Sequence, residues 1–383
     1  MKTIFTGSPI PPKKRVTRAV FAGDLQIGGG APVSVQSMCA TKTQNIEATL
    51  QQIRLLEAHK TDLIRVAIDS KADVEALKVL REQTKARIVI DLQENYRLIS
   101  LVAPYVQKVR YNPGHLHHHE RDVPVHKKVA FLVTTAKEHN LALRIGVNFG
   151  SLDPSLKASK ADHIEAALSS AAEHVGYMDD LGFENFVVSL KSSNPNDVID
   201  INTEFATRFP KIPLHLGVTE AGMLPMGEVK TRVAFENLLA QGIGETVRAS
   251  LTLPFENKYE EVLVARKIVE DVQAGRFRSV PRFLQEGLNI ISCPSCSRVE
   301  NTAFIDLAQK VRAMAVFAEK SNLTIAVMGC RVNGPGESDD ADIGVWCAPN
   351  HVNLKVRGQL RGTFGYDSIV SEVERELQQL MRE

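Results

Sequence analysis

Short apolar runs alternate with longer amphipathic stretches along the first three quarters of the chain, a rhythm that predicts βα units around a parallel sheet. Eight runs read as strands: 33–36, 63–67, 88–92, 108–111, 143–147, 185–190, 213–218 and 246–250. Between them, stretches such as 46–58, 72–84, 163–181 and 230–241 carry apolar residues at helical spacing. Eight such repeats predict a (β/α)8 TIM-type barrel, whose usual length is about 250 residues. A doubly wound open sheet is the alternative architecture, but no Gly-x-Gly-x-x-Gly follows an early strand, and Gly28-Gly29-Gly30 reads as a turn.

After the last helical stretch comes a basic segment punctuated by Gly275 and Pro281, which marks a domain boundary. The division expected is a barrel over 1–276 and a smaller domain over 284–383. In the smaller part, a helix at 303–320, strands at 323–328 and 343–346, turn-like sequence and a closing helix at 368–382 predict a compact α/β unit.

Charge narrows the list of partners. The 46 basic and 45 acidic residues leave a net charge of +1, which argues against nucleic acid as the main ligand. No apolar stretch approaches membrane-spanning length, and residues 1–15 lack the apolar region of a secretory signal. Five cysteines, four of them at or after position 293, do not form a secreted disulfide pattern, so a reducing cytoplasm is expected.

Barrel enzymes carry their chemistry at the carboxyl ends of the strands. Read in order, those ends bring up Arg65, Asp91, Arg110 with Asn112, Arg144 with Asn148, Lys191, Thr219 with Glu220, and Arg248 with Ser250. Cations recur there although the whole chain is nearly neutral, so the expected substrate is anionic. Three arginines and a lysine suit a diphosphate better than a single carboxylate, because each charged hydrogen bond nets about 1.5–3 kcal/mol against costly desolvation. The competing account makes each a solvated rim charge paired with an acid. Glu220 could exchange a proton at the mouth or merely pair with Arg248 or Arg144, and Asp91 carries the same ambiguity. The histidines at 115 and 117–119 read as a solvated loop, and Cys39 as a small buried thiol.

Cys293-Pro-Ser-Cys296 and the later Cys330, followed by Glu337, offer three soft thiolates and one harder carboxylate. That set suits an iron–sulfur cluster with one labile position. A closed zinc site that uses Cys347 as fourth thiolate, or a redox dithiol, fits the spacing as well.

Taken together, the motifs resemble one family, the 4-hydroxy-3-methylbut-2-enyl diphosphate synthases in their two-domain bacterial form. The likeness runs through Ala31-Pro-Val-Ser-Val-Gln-Ser-Met38, Val109-Arg-Tyr-Asn-Pro-Gly114, Arg144-Ile-Gly-Val-Asn148 and Gly150-Ser-Leu152. It continues through Leu214-His-Leu-Gly-Val-Thr-Glu-Ala-Gly222, Val247-Arg-Ala-Ser250, Cys293-Pro-Ser-Cys-Ser-Arg298 and Val332-Asn-Gly-Pro-Gly-Glu337. The resemblance implies a 4Fe-4S cluster on Cys293, Cys296, Cys330 and Glu337. It implies reductive ring opening of 2-C-methyl-D-erythritol 2,4-cyclodiphosphate in the non-mevalonate isoprenoid route. Arg110, Arg144, Lys191 and Arg248, aided by Asn112, Asn148 and Ser250, would hold the diphosphate, and Glu220 would stand near the reacting carbon as proton donor. A flavodoxin or ferredoxin would deliver two single electrons. A homodimer, with each cluster domain over the partner's barrel, is also implied. Where the family has Ile-His after the aspartate, this chain has Leu92-Gln93. The rival expectation is a phosphate-ester-binding barrel of the pterin-synthase type with a structural zinc appendage.

Overall fold

The computed structural model describes residues 15–92, 95–116, 120–152, 163–279, 288–318 and 321–382. Eight parallel strands form the barrel: β3 (Ser34–Met38), β4 (Leu63–Ala67), β5 (Ile88–Leu92), β6 (Lys108–Tyr111), β7 (Ala142–Asn148), β8 (Phe186–Lys191), β9 (His215–Leu216) and β10 (Thr246–Val247). They pair in the order β8-β7-β6-β5-β4-β3-β10-β9, and a parallel bridge between Val188 and Leu214 closes the ring. Every residue of β3 to β8 is buried, because one face of each strand packs on helices and the other lines the lumen. Along β4, Ile64 and Val66 join the apolar layer under the helices, and the alternation turns Arg65 inward. The same alternation turns Asp91, Arg110 and Arg144 into the lumen.

Ahead of the barrel lies an antiparallel hairpin, β1 (Ala19–Ala22) and β2 (Leu25–Gly28), which the sequence pattern did not reveal. Its Val20, Ala22 and Ile27 pack on Leu63, Val89, Ala142 and Val187 in a small separate core. Those four residues stand at the starts of their strands, so the hairpin seals the amino end of the lumen. Polar side chains are left to converge at the opposite end.

At the barrel's exit the chain is pinned down: Glu236 accepts hydrogen bonds from the backbone of Arg278 and Ser279 and from the Ser279 hydroxyl, at 2.7–2.9 Å. The second unit is a five-stranded mixed sheet. Its strands are β11 (Asn289–Ser292), β12 (Thr324–Met328), β13 (Ile343–Cys347), β14 (Val352–Val356) and β15 (Gln359–Phe364), the first three parallel and the last two added antiparallel. The helices Ala303–Met314 and Ile369–Leu380 pack on it around Phe304, Ile325, Val327, Val345 and Leu377. The stretch expected to be turn-like is the β14–β15 hairpin, reversed at Arg357 and Gly358 with φ of 48° and 76°. Regular helix stops at Met314, short of the expected 320, and one tight turn, Ala315–Ala318, follows.

Candidate active site

At the carboxyl end of the barrel one cavity is lined by Arg65, Asp91, Arg110, Arg144, Asn148, Lys191, Thr219, Glu220, Arg248 and Ser250, and also by Cys293, Cys296 and Cys330. Thirteen residues singled out from sequence, ten of the barrel and three cysteines, thus face one space. Asn112 does not line it: its amide caps the turn Pro113–His115 by accepting from Gly114 and donates to Ser151 at 2.8 Å. His115 is buried, not solvated, and 117–119 lie outside the described residues. Gln93 lies outside them too.

The cavity is strongly cationic. Asp91, fully buried, receives Arg110 at 3.0 Å, Arg298 at 3.0 Å and Arg65 at 3.9 Å. Burial opposes its ionisation, but the Arg65, Arg110 and Arg298 guanidiniums outweigh burial and hold the carboxyl well below the usual range. Its hold on a proton is therefore weak, and its geometry orients guanidiniums. Lys191 is driven the other way: burial, then Arg144 and Arg248, push its ammonium well below the ordinary lysine value. Arg144 and Arg248 keep guanidinium nitrogens with no hydrogen-bond partner among the described residues. Buried guanidinium N–H groups left unpaired are costly, and an incoming anion would relieve that cost.

Two glycines make room for these cations. A side-chain carbon at Gly146 would collide with the Arg110 guanidinium, and one at Gly217 with the Lys191 amine. Glu220 occupies a left-handed backbone position, φ 49°, uncommon for a side-chain-bearing residue and concentrated at functional sites. Burial raises its pKa, partly offset by hydrogen bonds to Thr219, Asn333 and Glu337.

The second unit closes the mouth within the same chain. Arg298 donates to Asp91 and to Asp69, each at 3.0 Å, and Asn333 donates to Glu220 at 3.1 Å. Glu337 does not line the cavity but is buried against the Glu220 carboxyl and Gly150, where an added side-chain carbon would stand 2.7 Å from its oxygen. Gly336 lies directly against the Gly150 carbonyl, so the two units meet backbone to backbone. The turn between the first two cysteines is tightened by Ser295 at φ 52°. Cys293 and Cys330 are in thiol contact, and that contact, helped by the Asn333 and Val332 amides, brings Cys330 down to about 7 against the effect of burial. Cys347 lies in the core of the second sheet, where burial pushes its thiol up to about 12; it does not reach the cavity. Burial likewise takes Cys39 up to about 12. No group of three or more His, Cys, Asp or Glu side chains among the described residues is arranged to hold a single metal ion.

Arg298 escaped notice as a site residue although its motif was conspicuous. Its sequence signal, an arginine two residues past a Cys-x-x-Cys pair, says nothing about a carboxylate over two hundred positions away.

The arrangement is that of a barrel with a cation-lined mouth and a cysteine-bearing domain shut over it. The GcpE TIM-barrel domain matches residues 17–266 and the GcpE C-terminal domain residues 289–379. A relative from Rhodopirellula baltica, a 4-hydroxy-3-methylbut-2-en-1-yl diphosphate synthase (flavodoxin), is 56% identical over 96% of this chain and 97% of its own. One of the same name from Nitratiruptor is 36% identical over 97% and 99%. Among solved structures, Yersinia pestis dihydropteroate synthase aligns with TM-score 0.47 and 13% identity over 67% of this chain and 98% of its own. The chain belongs to the GcpE family, that of the 4-hydroxy-3-methylbut-2-enyl diphosphate synthases. No helix among the described residues is long and apolar enough to cross a membrane.

Proposed function

We propose that this enzyme converts 2-C-methyl-D-erythritol 2,4-cyclodiphosphate to 4-hydroxy-3-methylbut-2-enyl diphosphate, using a 4Fe-4S cluster on Cys293, Cys296, Cys330 and Glu337. The observation that carries the reading is that three cysteines face the same cavity as six basic side chains, Arg65, Arg110, Arg144, Lys191, Arg248 and Arg298. The donors fit the group: the thiols are free, soft and largely buried, and a cubane offers each ligand its own iron, so its ligands need not converge on one point. Cys347, which a closed four-thiolate zinc site would need, stays in the core.

When bound, the cluster supplies electrons singly; two electrons and proton uptake open the ring, and the C3 hydroxyl leaves as water. Arg110, Arg144, Lys191 and Arg248 hold the diphosphate, with Asn148, Thr219 and Ser250 at the rim. Asp91 orients Arg65 and Arg110, and Asn112 shapes the loop beyond β6. Glu220, whose pKa burial raises, donates a proton beside the reacting carbon. Closure by Arg298 excludes water from the reaction. The reading includes reduced flavodoxin or ferredoxin as donor, a cytoplasmic setting that keeps the thiols reduced, a barrel domain ending at 276 with a cluster domain from 284, and a homodimer, which sedimentation equilibrium tests.

Anaerobically purified protein should be brown, carry about four irons per chain and turn over the cyclic diphosphate with a reduced one-electron dye. Colourless protein holding zinc would instead favour the phosphate-ester barrel. Gly217→Ala, which drives the Lys191 amine aside, should raise KM about 10- to 100-fold, the worth of one charged hydrogen bond, with iron content unchanged. Steady-state kinetics with an iron assay reads both. Arg298→Gln should lower kcat about tenfold or more by weakening closure, and Arg298→Lys should restore only part, since an ammonium cannot span both carboxylates.

A further inference from the structure

Beneath the turn that carries Cys293 and Cys296 lies a buried ion pair that the mechanism above does not use. Lys258, wholly buried, stands just before the helix Glu260–Gln273 on the barrel side. Its ammonium donates to the Pro294 carbonyl, between the two cysteines, and to the Glu261 carboxylate at 2.9 Å. Glu261 also accepts from the Leu251 amide at 2.9 Å and the Ser37 hydroxyl at 3.0 Å, and its second oxygen stands 3.6 Å from Nε of Arg248. Thr252 adds a hydrogen bond to the Cys293 carbonyl at 3.0 Å. The barrel therefore grips the cysteine turn from below with one cation and one hydroxyl. Through Glu261 the same grip reaches an arginine of the substrate cavity.

A lysine and a glutamate removed from water are expensive to maintain, and a neutral pair of similar shape would hold a carbonyl at less cost. What a neutral pair would not supply is charge. Buried charge acts strongly over short distances because little solvent screens it, and the potential of an iron–sulfur centre follows the charges and hydrogen bonds around its sulfurs. The Lys258 ammonium is close enough to be felt at Cys296.

We propose that Lys258 and Glu261 are positioning residues that set the electron affinity of the centre held by the Cys293–Cys296 turn, Lys258 raising it and Glu261 lowering it, and that Glu261 ties that setting to Arg248. The proposal rests on the cluster reading. In the step concerned, a reduced one-electron donor loses one electron and the centre gains it; no proton moves, and the ammonium offsets the added negative charge.

The test is a redox titration of iron-loaded protein followed by electron paramagnetic resonance. At a fixed poise, Lys258→Met should lower the ratio of reduced to oxidised centre about tenfold, or ~59 mV for one electron. Glu261→Gln should raise that ratio, and Lys258→Arg should leave it within about twofold of the wild type. Opposite shifts from the first two variants are the signature, because loosened packing has no reason to change sign with the charge removed. Shifts of the same sign, no shift with iron retained, or iron lost from all three variants would overturn the proposal. If Lys258→Met alone loses its iron, Glu261→Gln and Lys258→Arg decide. Wild-type protein without iron would defeat the cluster reading itself and this proposal with it, whereas unshifted variants of a brown wild type defeat the proposal only.

Discussion

Cys330→Ser should give folded, colourless protein with about a thousandfold or greater loss of turnover, the scale seen when a group that carries the chemistry is removed. Of the cavity thiols, Cys330 is the one drawn down to about 7, so a substantial share is thiolate at neutral pH and ready to ligate. A serine hydroxyl neither ionises there nor binds iron with comparable softness. The control is Cys347→Ser. That thiol sits in the core of the second sheet at about 12 and should be dispensable for iron, at a modest cost in stability. Iron analysis and the visible spectrum separate the two. Retention of colour by Cys330→Ser would remove Cys330 from the ligand set, whereas a colourless wild type whose metal is lost in Cys347→Ser would return the cysteines to the four-thiolate zinc arrangement.

The second large effect is expected at Glu220. Glu220→Gln keeps the shape and the hydrogen bond from Asn333 but removes the transferable proton, so kcat should fall by about 10²–10⁴ with KM and iron little changed. The pH dependence has a definite sign. Because burial raises this carboxyl above the ordinary glutamate value, its acid form persists to higher pH than that of an exposed glutamate. Activity that depends on the acid form is full below the raised pKa and is lost as pH climbs through it. The glutamine variant should lack that falling limb. A kcat profile identical to the wild type would remove Glu220 from the proton-donor role.

Much of the barrel was legible because its strands are buried on both faces: 63–67, 88–92 and 108–111 coincide with β4, β5 and β6. The cations stood out because inward positions of a barrel strand otherwise favour apolar residues, so Arg65, Arg110 and Arg144 inside apolar runs demanded a ligand. The strands at 213–218 and 246–250 shrink to two residues each, and beyond the shortened ladders Thr219, Arg248 and Ser250 face the cavity. What the sequence hid was pairing across distance. The β1–β2 hairpin, with four residues to a strand, is too short to announce itself until it meets Leu63 and Val89, and Arg298 has no visible partner until the second unit folds onto Asp69 and Asp91. Asn112 looked like a substrate contact because it follows Arg110, but one residue past the strand its amide serves the local turn.

The apolar hairpin corking the base of the lumen makes the barrel a cul-de-sac. Among the described residues the way in lies at the other end, with the Arg298 bolt across it. On the proposed reaction, reactant, product and released water would share that doorway, and the expected pace of turnover is then tied to the breaking of two carboxylate contacts as well as to the arrival of electrons.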